Sequence, residues 1–199
     1  MKKTRARESV GRGRAVSGPE TPAGRLVWVN GAIEPAESAA LPLLDRGARD
    51  GEGLFETIRV YRGRAFLWGR HLERLVLATA ELKFPVMPSP ARLEAALAEL
   101  LLAIRLEDAA ARITITRGRQ GVRPGRVGVW LEAEPIAARL WSHGRPPEAR
   151  AMFSRRPFAP GPLGRYKTTS RLAYHLARDE ARESRADEAI LVRDRKSVV

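Results

Sequence analysis

Cysteine is absent from the 199 residues of this chain. Its absence excludes a disulfide framework, a thiolate metal site and a cysteine nucleophile, and it fits a reducing compartment. Histidine is scarce, since the chain contains only His71, His143 and His175. These three residues do not have the spacing of metal ligands, so we expect neither a zinc nor an iron site.

Long apolar segments are missing as well. No apolar run reaches the ~18 residues that predict a membrane-spanning helix, and the N-terminus has no apolar core followed by a cleavage site. We therefore expect a soluble, cytoplasmic protein that does not bind membranes. Hydrophobic side chains still make up 44% of the chain, which is enough to bury a core and to form one domain or two small ones.

Lysine is rare among the basic residues. Of 36 basic side chains, five are lysine, namely Lys2, Lys3, Lys83, Lys167 and Lys196. Arginine stays protonated, whereas a lysine amine can lose its proton and attack a carbonyl or aldehyde to form a Schiff base. Two of the five lie near the N-terminus and one near the C-terminus, so Lys83 and Lys167 are the candidate nucleophiles of a folded body. The alternative for each is an ordinary surface lysine.

The net charge of +13 suggests nucleic-acid binding as one possible function. Seven basic and two acidic residues lie within residues 1 to 25, in a segment rich in Gly, Pro and Ser. The other arginines are mixed with acidic residues, and no zinc finger, helix-turn-helix pattern or aromatic-basic stacking motif accompanies them. A basic nucleic-acid-binding module is therefore kept as an alternative, and nucleic acid is not the expected partner.

Strand patterns begin close to residue 25. Leu26 to Val29 is followed by Asn30-Gly31, a pair that accepts the positive φ angles of a tight hairpin turn. Leu54 to Tyr61 predicts a second strand, with Phe55 and Thr57 on one face. Further strands are predicted at residues 65–67, 111–116, 126–131, 149–154 and 188–192.

Helical spacing predicts three helices. The first runs from His71 to Leu82, the second begins with the cap pair Ser89 and Pro90, and the third covers about residues 171 to 184. The predicted apolar face of the first helix comprises Leu72, Leu75, Val76 and Leu82. Together with the strands, these helices predict an α+β fold.

The sequence predicts five parts along the chain. They are a disordered basic leader (1–24), a small N-terminal α+β domain (25–133), an interdomain linker (134–148), the start of a C-terminal cofactor domain (149–193) and a tail (194–199). One helix and one or two strands cannot close a layered core, so we expect the C-terminal domain to be incomplete. The tail matches a translated sequencing-library adapter, and we interpret it as an artefact, with a natural polar tail as the alternative.

Six segments, in this order, resemble one family. They are Val27-Trp28-Val29-Asn30-Gly31, Asp45-Arg46-Gly47 through Gly51-Glu52-Gly53-Leu54-Phe55-Glu56-Thr57-Ile58-Arg59, His71-Leu72-Glu73-Arg74-Leu75, Arg112-Ile113-Thr114-Ile115-Thr116-Arg117-Gly118, Lys167-Thr168-Thr169-Ser170-Arg171-Leu172 and Ala186-Asp187-Glu188-Ala189-Ile190-Leu191. The family is that of the fold-type IV pyridoxal-phosphate enzymes, also called class IV aminotransferases. It includes branched-chain aminotransferases, D-amino acid transaminases and aminodeoxychorismate lyases. The resemblance implies a two-domain fold.

The resemblance also implies roles for individual residues. Lys167 would form the Schiff base with pyridoxal 5′-phosphate and then move the substrate α-proton. Arg74 would bind the cofactor phosphate, with a solvated arginine or an ion pair as the alternative. Phe55 and Thr57 would line the substrate pocket, with core packing as the alternative. Lys83 lies at a predicted helix end, where a structural role is expected.

The implied activity is amino acid transamination or the aminodeoxychorismate lyase reaction, in a protein that usually forms homodimers. Asp50 stands where family members often have an aromatic residue, commonly tyrosine, and Ser170 stands where they often have asparagine. The motifs Phe55-Glu56-Thr57-Ile58-Arg59 and Lys167-Thr168-Thr169-Ser170-Arg171-Leu172 resemble the lyase and D-amino acid branches more than the branched-chain aminotransferases. The acid that pairs with the cofactor's ring nitrogen is expected beyond residue 193, and Glu180, Glu183 and Glu188 do not take its place. The alternative is a non-catalytic fragment of the same fold.

Overall fold

The structure is a computed structural model that describes residues 25–121, 125–136, 149–194 and 197–198. The predicted leader lies outside the described residues, and so do residues 137–148 of the predicted linker. None of the helices in the described part of the chain is long and apolar enough to span a membrane.

An antiparallel sheet of six strands, in the order β2-β1-β6-β5-β3-β4, forms the larger part of the structure. Its strands and helices are β1 (Leu26–Val29), β2 (Ala32–Pro35), α1 (Arg46–Asp50), β3 (Gly53–Tyr61), β4 (Arg64–Ala65), α2 (Trp68–Glu81), α3 (Pro90–Ile104), β5 (Ala109–Thr116) and β6 (Gly128–Pro135). Helices α2 and α3 pack on one face of this sheet. The predicted α+β fold is confirmed.

A smaller unit follows in the chain. It contains β7 (Ala151–Phe153), a 3₁₀ helix (Gly161–Arg165), α4 (Leu172–Glu183), β8 (Glu188–Ile190), β9 (Val192–Asp194) and β10 (Ser197–Val198). Strands β7 and β8 pair in parallel, and β9 pairs with β10 in antiparallel fashion.

Successive side chains of β3 point to opposite faces of the sheet, and this alternation decides which of them enter the core. Leu54, Ile58 and Val60 are almost fully buried against the helices, as expected for one face of a strand. Each buried aliphatic side chain of this kind contributes about 1.5–3 kcal/mol relative to exposure. The opposite face carries Phe55 and Thr57, so the predicted division of the strand is confirmed.

The first two predicted helices are present with small shifts. Helix α2 begins at Trp68 rather than His71, and its Leu72 and Leu75 are buried. The prediction for Val76 is wrong, since 38% of this residue is exposed. Ser89 caps α3 as predicted, because its Oγ accepts a hydrogen bond of 3.2 Å from the backbone N–H of Arg92.

The six-stranded sheet extends two residues into the segment predicted as a linker. Strand β6 runs to Pro135 rather than ending at Leu131, because its residues pair with β5 as far as Ala109. Glu134 and Pro135 therefore belong to the sheet and not to a linker. The sequence patterns missed α1 and the 3₁₀ helix, which are too short to show helical periodicity.

The segment around Lys167 lies along the free edge of β3. The backbone N–H of Phe55 donates to the carbonyl of Lys167, and that of Thr169 donates to the carbonyl of Gly53, both at 2.9 Å. This edge is available because β4 pairs only with Val60 and Tyr61 at the other end of β3. The pairing holds Lys167 against the six-stranded sheet.

Candidate active site

A cleft of about 500 Å³ lies between β3, α2 and the segment that precedes α4. Its lining includes Phe55, Glu56, Arg74, Tyr166 and Lys167. Two of the predicted site residues, Lys167 and Arg74, thus face the same cleft, and Phe55 lies beside them. Thr57 is exposed and is not among the cleft residues.

Lys167 is half-buried, and its Nζ lies 4.5 Å from the centroid of the Phe55 ring. Burial lowers the pKa of Lys167, and the positive charges of Arg171, Arg74 and Arg112 act in the same direction. Glu56 opposes this shift without cancelling it. A lowered pKa increases the uncharged fraction of the amine, which is the form that attacks an aldehyde.

Arg74 forms a bidentate ion pair with Glu56. Its Nε donates to Oε1 at 2.6 Å and its Nη2 donates to Oε2 at 2.5 Å. Glu56 is 1% exposed, whereas the side chain of Arg74 is 55% exposed. The ion pair proposed as the alternative for Arg74 is therefore present. It orients the guanidinium, and no hydrogen bond within the described residues occupies Nη1.

His71 completes the group around Glu56. Its Nδ1 lies 2.9 Å from Oε2 of that carboxylate. Burial alone would raise the pKa of Glu56, but the hydrogen bonds and charges of Arg74 and His71 outweigh it and the pKa is lowered. Glu56 therefore stays ionised and supplies the acid that fixes Arg74.

Two arginines for which the sequence predicts no role lie beside the Phe55 ring. The guanidinium carbon of Arg112 lies 3.8 Å from the ring centroid, and that of Arg171 lies 5.6 Å from it. Burial is the main reason that the pKa of Arg112 is lowered. Arg112 shares the strand face of Phe55 through the β3–β5 register, which could not be read from the sequence without knowing how the strands pair.

Glu81 links the end of α2 to the residues before Lys167. It accepts a hydrogen bond of 2.8 Å from Arg165 and another from the hydroxyl of Tyr166. This contact could not be predicted from the sequence, because Glu81 and Tyr166 are far apart in the chain. Together with the β3 pairing, it restrains the backbone that carries Lys167.

Lys83 lies at the end of α2, the position for which the sequence predicts a structural role. It is exposed, has a positive φ of 55° and lies just beyond the end of α2. Arg117 is a second cation at this helix end, and it donates to the carbonyls of Leu82 and Lys83 at 2.6 and 3.3 Å. Lys83 is also absent from the cleft that contains Lys167.

Glu180 on α4 has a structural environment. Its carboxylate accepts hydrogen bonds from the Nε and the backbone N–H of Arg155 and from the hydroxyl of Ser154. These contacts, led by the Arg155 side chain, lower the pKa of Glu180 to about 2. They tie α4 to the segment after β7.

Replacing Glu180 by glutamine is expected to lower the free energy of unfolding at neutral pH. The folded-state pKa is below the ordinary 4.5, so the ionised carboxylate stabilises the fold above that value and loses its contribution as the pH falls towards about 2. Urea unfolding at a series of pH values should show the variant and the wild type converging in acid. Glu183→Gln, an exposed change on the same helix, is the control, and a pH-independent difference for Glu180→Gln would contradict the assignment.

The known proteins that this chain resembles are aminotransferases. A family model described as amino-transferase class IV matches residues 53–199. The D-alanine aminotransferase of Listeria monocytogenes serotype 4b (strain F2365) is 30% identical over 97 residues, which are 49% of this chain and 34% of that protein. A putative branched-chain-amino-acid aminotransferase of Methanocaldococcus jannaschii is 28% identical over 178 residues, which are 87% of this chain and 61% of that protein.

Solved structures give the same result. The branched-chain aminotransferase of Thermoproteus uzoniensis with norvaline superposes with a TM-score of 0.73 at 27% identity, over 88% of this chain and 62% of that one. A branched-chain amino acid aminotransferase from T.th., complexed with N-(5′-phosphopyridoxyl)-L-glutamate, has a TM-score of 0.73 at 26% identity, over 88% and 60%. The chain thus spans about a third of the D-alanine relative and about 60% of the solved structures.

Proposed function

Since the chain belongs to the class IV aminotransferase family, we propose that its cleft binds pyridoxal 5′-phosphate and that Lys167 holds the cofactor. The observation that supports this proposal is the placement of a half-buried lysine amine and an oriented arginine in one cleft. Neighbouring solved structures contain phosphopyridoxyl-glutamate and pyridoxamine 5′-phosphate, which supports the same cofactor. The proposed activity is amino acid transamination or the related aminodeoxychorismate lyase reaction.

The residues of the cleft fit such a cofactor. A cleft of about 500 Å³ lies within the ~300–1,000 Å³ typical of sites for small molecules. Lys167 offers an amine with a lowered pKa, and Arg74 offers a guanidinium edge that Glu56 does not occupy. Phe55 provides an apolar surface beside the amine. Lys167 could thus bind the aldehyde of the cofactor, Arg74 its phosphate and Phe55 its aromatic ring.

Each side chain then has a defined task. The cofactor, when bound, supplies an electron sink for the substrate carbanion. Lys167 would hold it through Nζ and, once released, would move the proton at the substrate Cα. Arg74 would donate hydrogen bonds from its free edge to the phosphate, and Glu56 would keep that edge in place.

Arg112 and Arg171 suggest the substrate class. Their guanidinium groups lie close to the ring that adjoins the Lys167 amine, so a carboxylate would meet two cations there. We therefore propose an amino acid or an aminodeoxychorismate-like molecule as the substrate. The complete protein is proposed to act as a homodimer, as members of this family usually do.

The decisive experiment is a titration of the purified chain with pyridoxal 5′-phosphate, followed by absorbance, borohydride reduction and peptide mapping. We expect the label on Lys167 and not on the exposed Lys83.

Arg74→Gln should weaken binding by about 1.5–3 kcal/mol, the typical contribution of a charged hydrogen bond, which is roughly a 10- to 150-fold rise in Kd.

Arg70→Gln is the matched control for Arg74→Gln. Arg70 also lines the cleft and is exposed like Arg74, but within the described residues no hydrogen bond to Glu56 orients it, so its loss tests the effect of a nearby positive charge alone. Equal effects of the two variants would remove the phosphate role of Arg74. A label spread over all lysines, or absent from Lys167, would contradict the proposed cofactor site and favour the non-catalytic alternative.

A further inference from the structure

The segment that carries Lys167 makes a second close approach to β3, two residues further along the chain. The hydrogen bond from the N–H of Phe55 places this residue opposite Lys167. The hydrogen bond from the N–H of Thr169 to the carbonyl of Gly53 places these two residues opposite each other. Residues directly opposite in an antiparallel pair share a face of the sheet. Thr169 therefore lies on the same face as Lys167, directly over Gly53.

Gly53 leaves the space that the side chain of Thr169 occupies. A Cβ at position 53 would lie 2.6 Å from Oγ1, 2.9 Å from Cγ2 and 3.3 Å from Cβ of Thr169. Gly53 is not among the glycines with a positive φ, so its backbone conformation would accept a larger residue. The close approach of Thr169 is what excludes one.

The hydroxyl of Thr169 adds a weaker contact. It donates to the carbonyl of Gly51 at 3.3 Å, and the hydroxyl of Ser170 donates to the same carbonyl at 3.5 Å. Both distances exceed the usual 2.5–3.0 Å of a hydrogen bond between oxygens. The packing of Thr169 on Gly53 is therefore expected to contribute more than the hydroxyl does.

The place of the Lys167 amine depends on the backbone that bears it. Within the described residues no hydrogen bond holds its Nζ, which lies 4.5 Å from the centroid of the Phe55 ring. The charged side chains that act on this amine are Glu56 on β3, Arg74 on α2, Arg112 on β5 and Arg171 before α4. A shift of the backbone would move the amine relative to all of them and would expose it to water.

We propose that Thr169 is a positioning residue for Lys167. By filling the space over Gly53, it fixes the backbone from which the Lys167 amine reaches the cleft. Thr169 is not among the described residues that line the cleft, so it acts through Lys167. What the amine does in the cleft rests on the proposed function, whereas its placement is a property of the chain without cofactor and can be measured separately.

The test is acetylation of the cofactor-free chain with acetic anhydride at a series of pH values, followed by peptide mass spectrometry. The exposed Lys83 is the internal reference. Burial and nearby arginines lower the pKa of Lys167, so its acetylation should begin at a lower pH. Thr169→Ala removes Oγ1 and Cγ2, and we expect the Lys167 midpoint to move towards that of Lys83. Thr169→Val keeps the branched shape and should retain the wild-type midpoint.

Gly53→Ala tests the same contact from the other strand. Its Cβ should displace Thr169, raise the Lys167 midpoint and raise the Kd for pyridoxal 5′-phosphate roughly tenfold. The double variant Gly53→Ala/Thr169→Ala should lie closer to the wild type than either single variant, because the new Cβ fills the space of the removed atoms. Gly69→Ala, at an exposed glycine where no heavy atom of the described residues lies within 4 Å of a Cβ, should match the wild type.

Three results would overturn the proposal. They are an unchanged Lys167 midpoint in Thr169→Ala, a double variant no closer to the wild type than Gly53→Ala, and a wild-type profile of Lys167 equal to that of Lys83. Circular dichroism of each variant confirms that the fold is intact. If the wild type attaches no cofactor at Lys167, the proposed function fails, and the acetylation profiles still decide whether Thr169 places the amine.

Discussion

Lys167→Arg is expected to abolish the borohydride-stable attachment of pyridoxal 5′-phosphate to this chain. A guanidinium keeps the positive charge of the site but stays protonated at all accessible pH values and cannot form an imine. The backbone carbonyl of residue 167 still accepts from the N–H of Phe55, so the fold should persist. The measurement is the mass of the reduced protein, with circular dichroism to confirm folding.

Lys83→Arg is the matched control for this prediction. Lys83 is the other lysine within the described residues, and it is exposed outside the cleft. The control should attach one equivalent of cofactor like the wild type. If Lys167→Arg takes up the label at the same stoichiometry and affinity as the control, Lys167 is not the residue that holds the cofactor.

Gly118→Ala is expected to destabilise the fold by ~3 kcal/mol or more. Gly118 has a positive φ of 74°, and a Cβ there would lie 1.8 Å from the backbone carbonyl oxygen of Arg126. The left-handed conformation is unfavourable for alanine, typically by ~1–3 kcal/mol, and a clash with backbone cannot be relieved by a rotamer change. The carbonyl of Gly118 also accepts from the N–H of Arg46, so any shift disturbs the loop before α1.

Gly63→Ala separates the clash from the backbone conformation. Gly63 has nearly the same φ, 73°, but no heavy atom of the described residues lies within 4 Å of the position of a Cβ. We expect this control to cost only about 1 kcal/mol. Urea unfolding of the two variants gives the comparison, and equal losses of stability would show that the Arg126 carbonyl does not exclude a Cβ at position 118.

Local patterns were sufficient for much of the fold. The alternation of β3, the Asn30-Gly31 turn and the Ser89 cap each depend on neighbours within a few residues, and the structure places each as predicted. The end of β6 was predicted wrongly because pairing with β5, rather than local composition, extends it to Pro135. Val76 was assigned to the core by spacing alone, although α2 buries a slightly different stripe.

In the candidate site, too, some features could be predicted from the sequence and others depend on tertiary contacts. The scarcity of lysine made Lys167 a candidate nucleophile. The resemblance of six segments to one family implied the roles of Lys167 and Arg74, and the family is confirmed. The residues that orient them were not found, because they are joined by contacts between distant parts of the chain. Glu56 on β3 accepts hydrogen bonds from Arg74 on α2. Glu81 at the end of α2 accepts a hydrogen bond from the hydroxyl of Tyr166.

The amino-acid sequence by itself therefore determined the α+β class through short-range spacing, and the resemblance of its motifs indicated the family and the lysine that the proposed chemistry needs. Tertiary structure decided what surrounds that lysine. Burial and three nearby arginines lower the pKa of Lys167, and a buried carboxylate fixes Arg74. Both effects arise from distances and from exclusion of water, which are properties of the folded chain and not of any local segment.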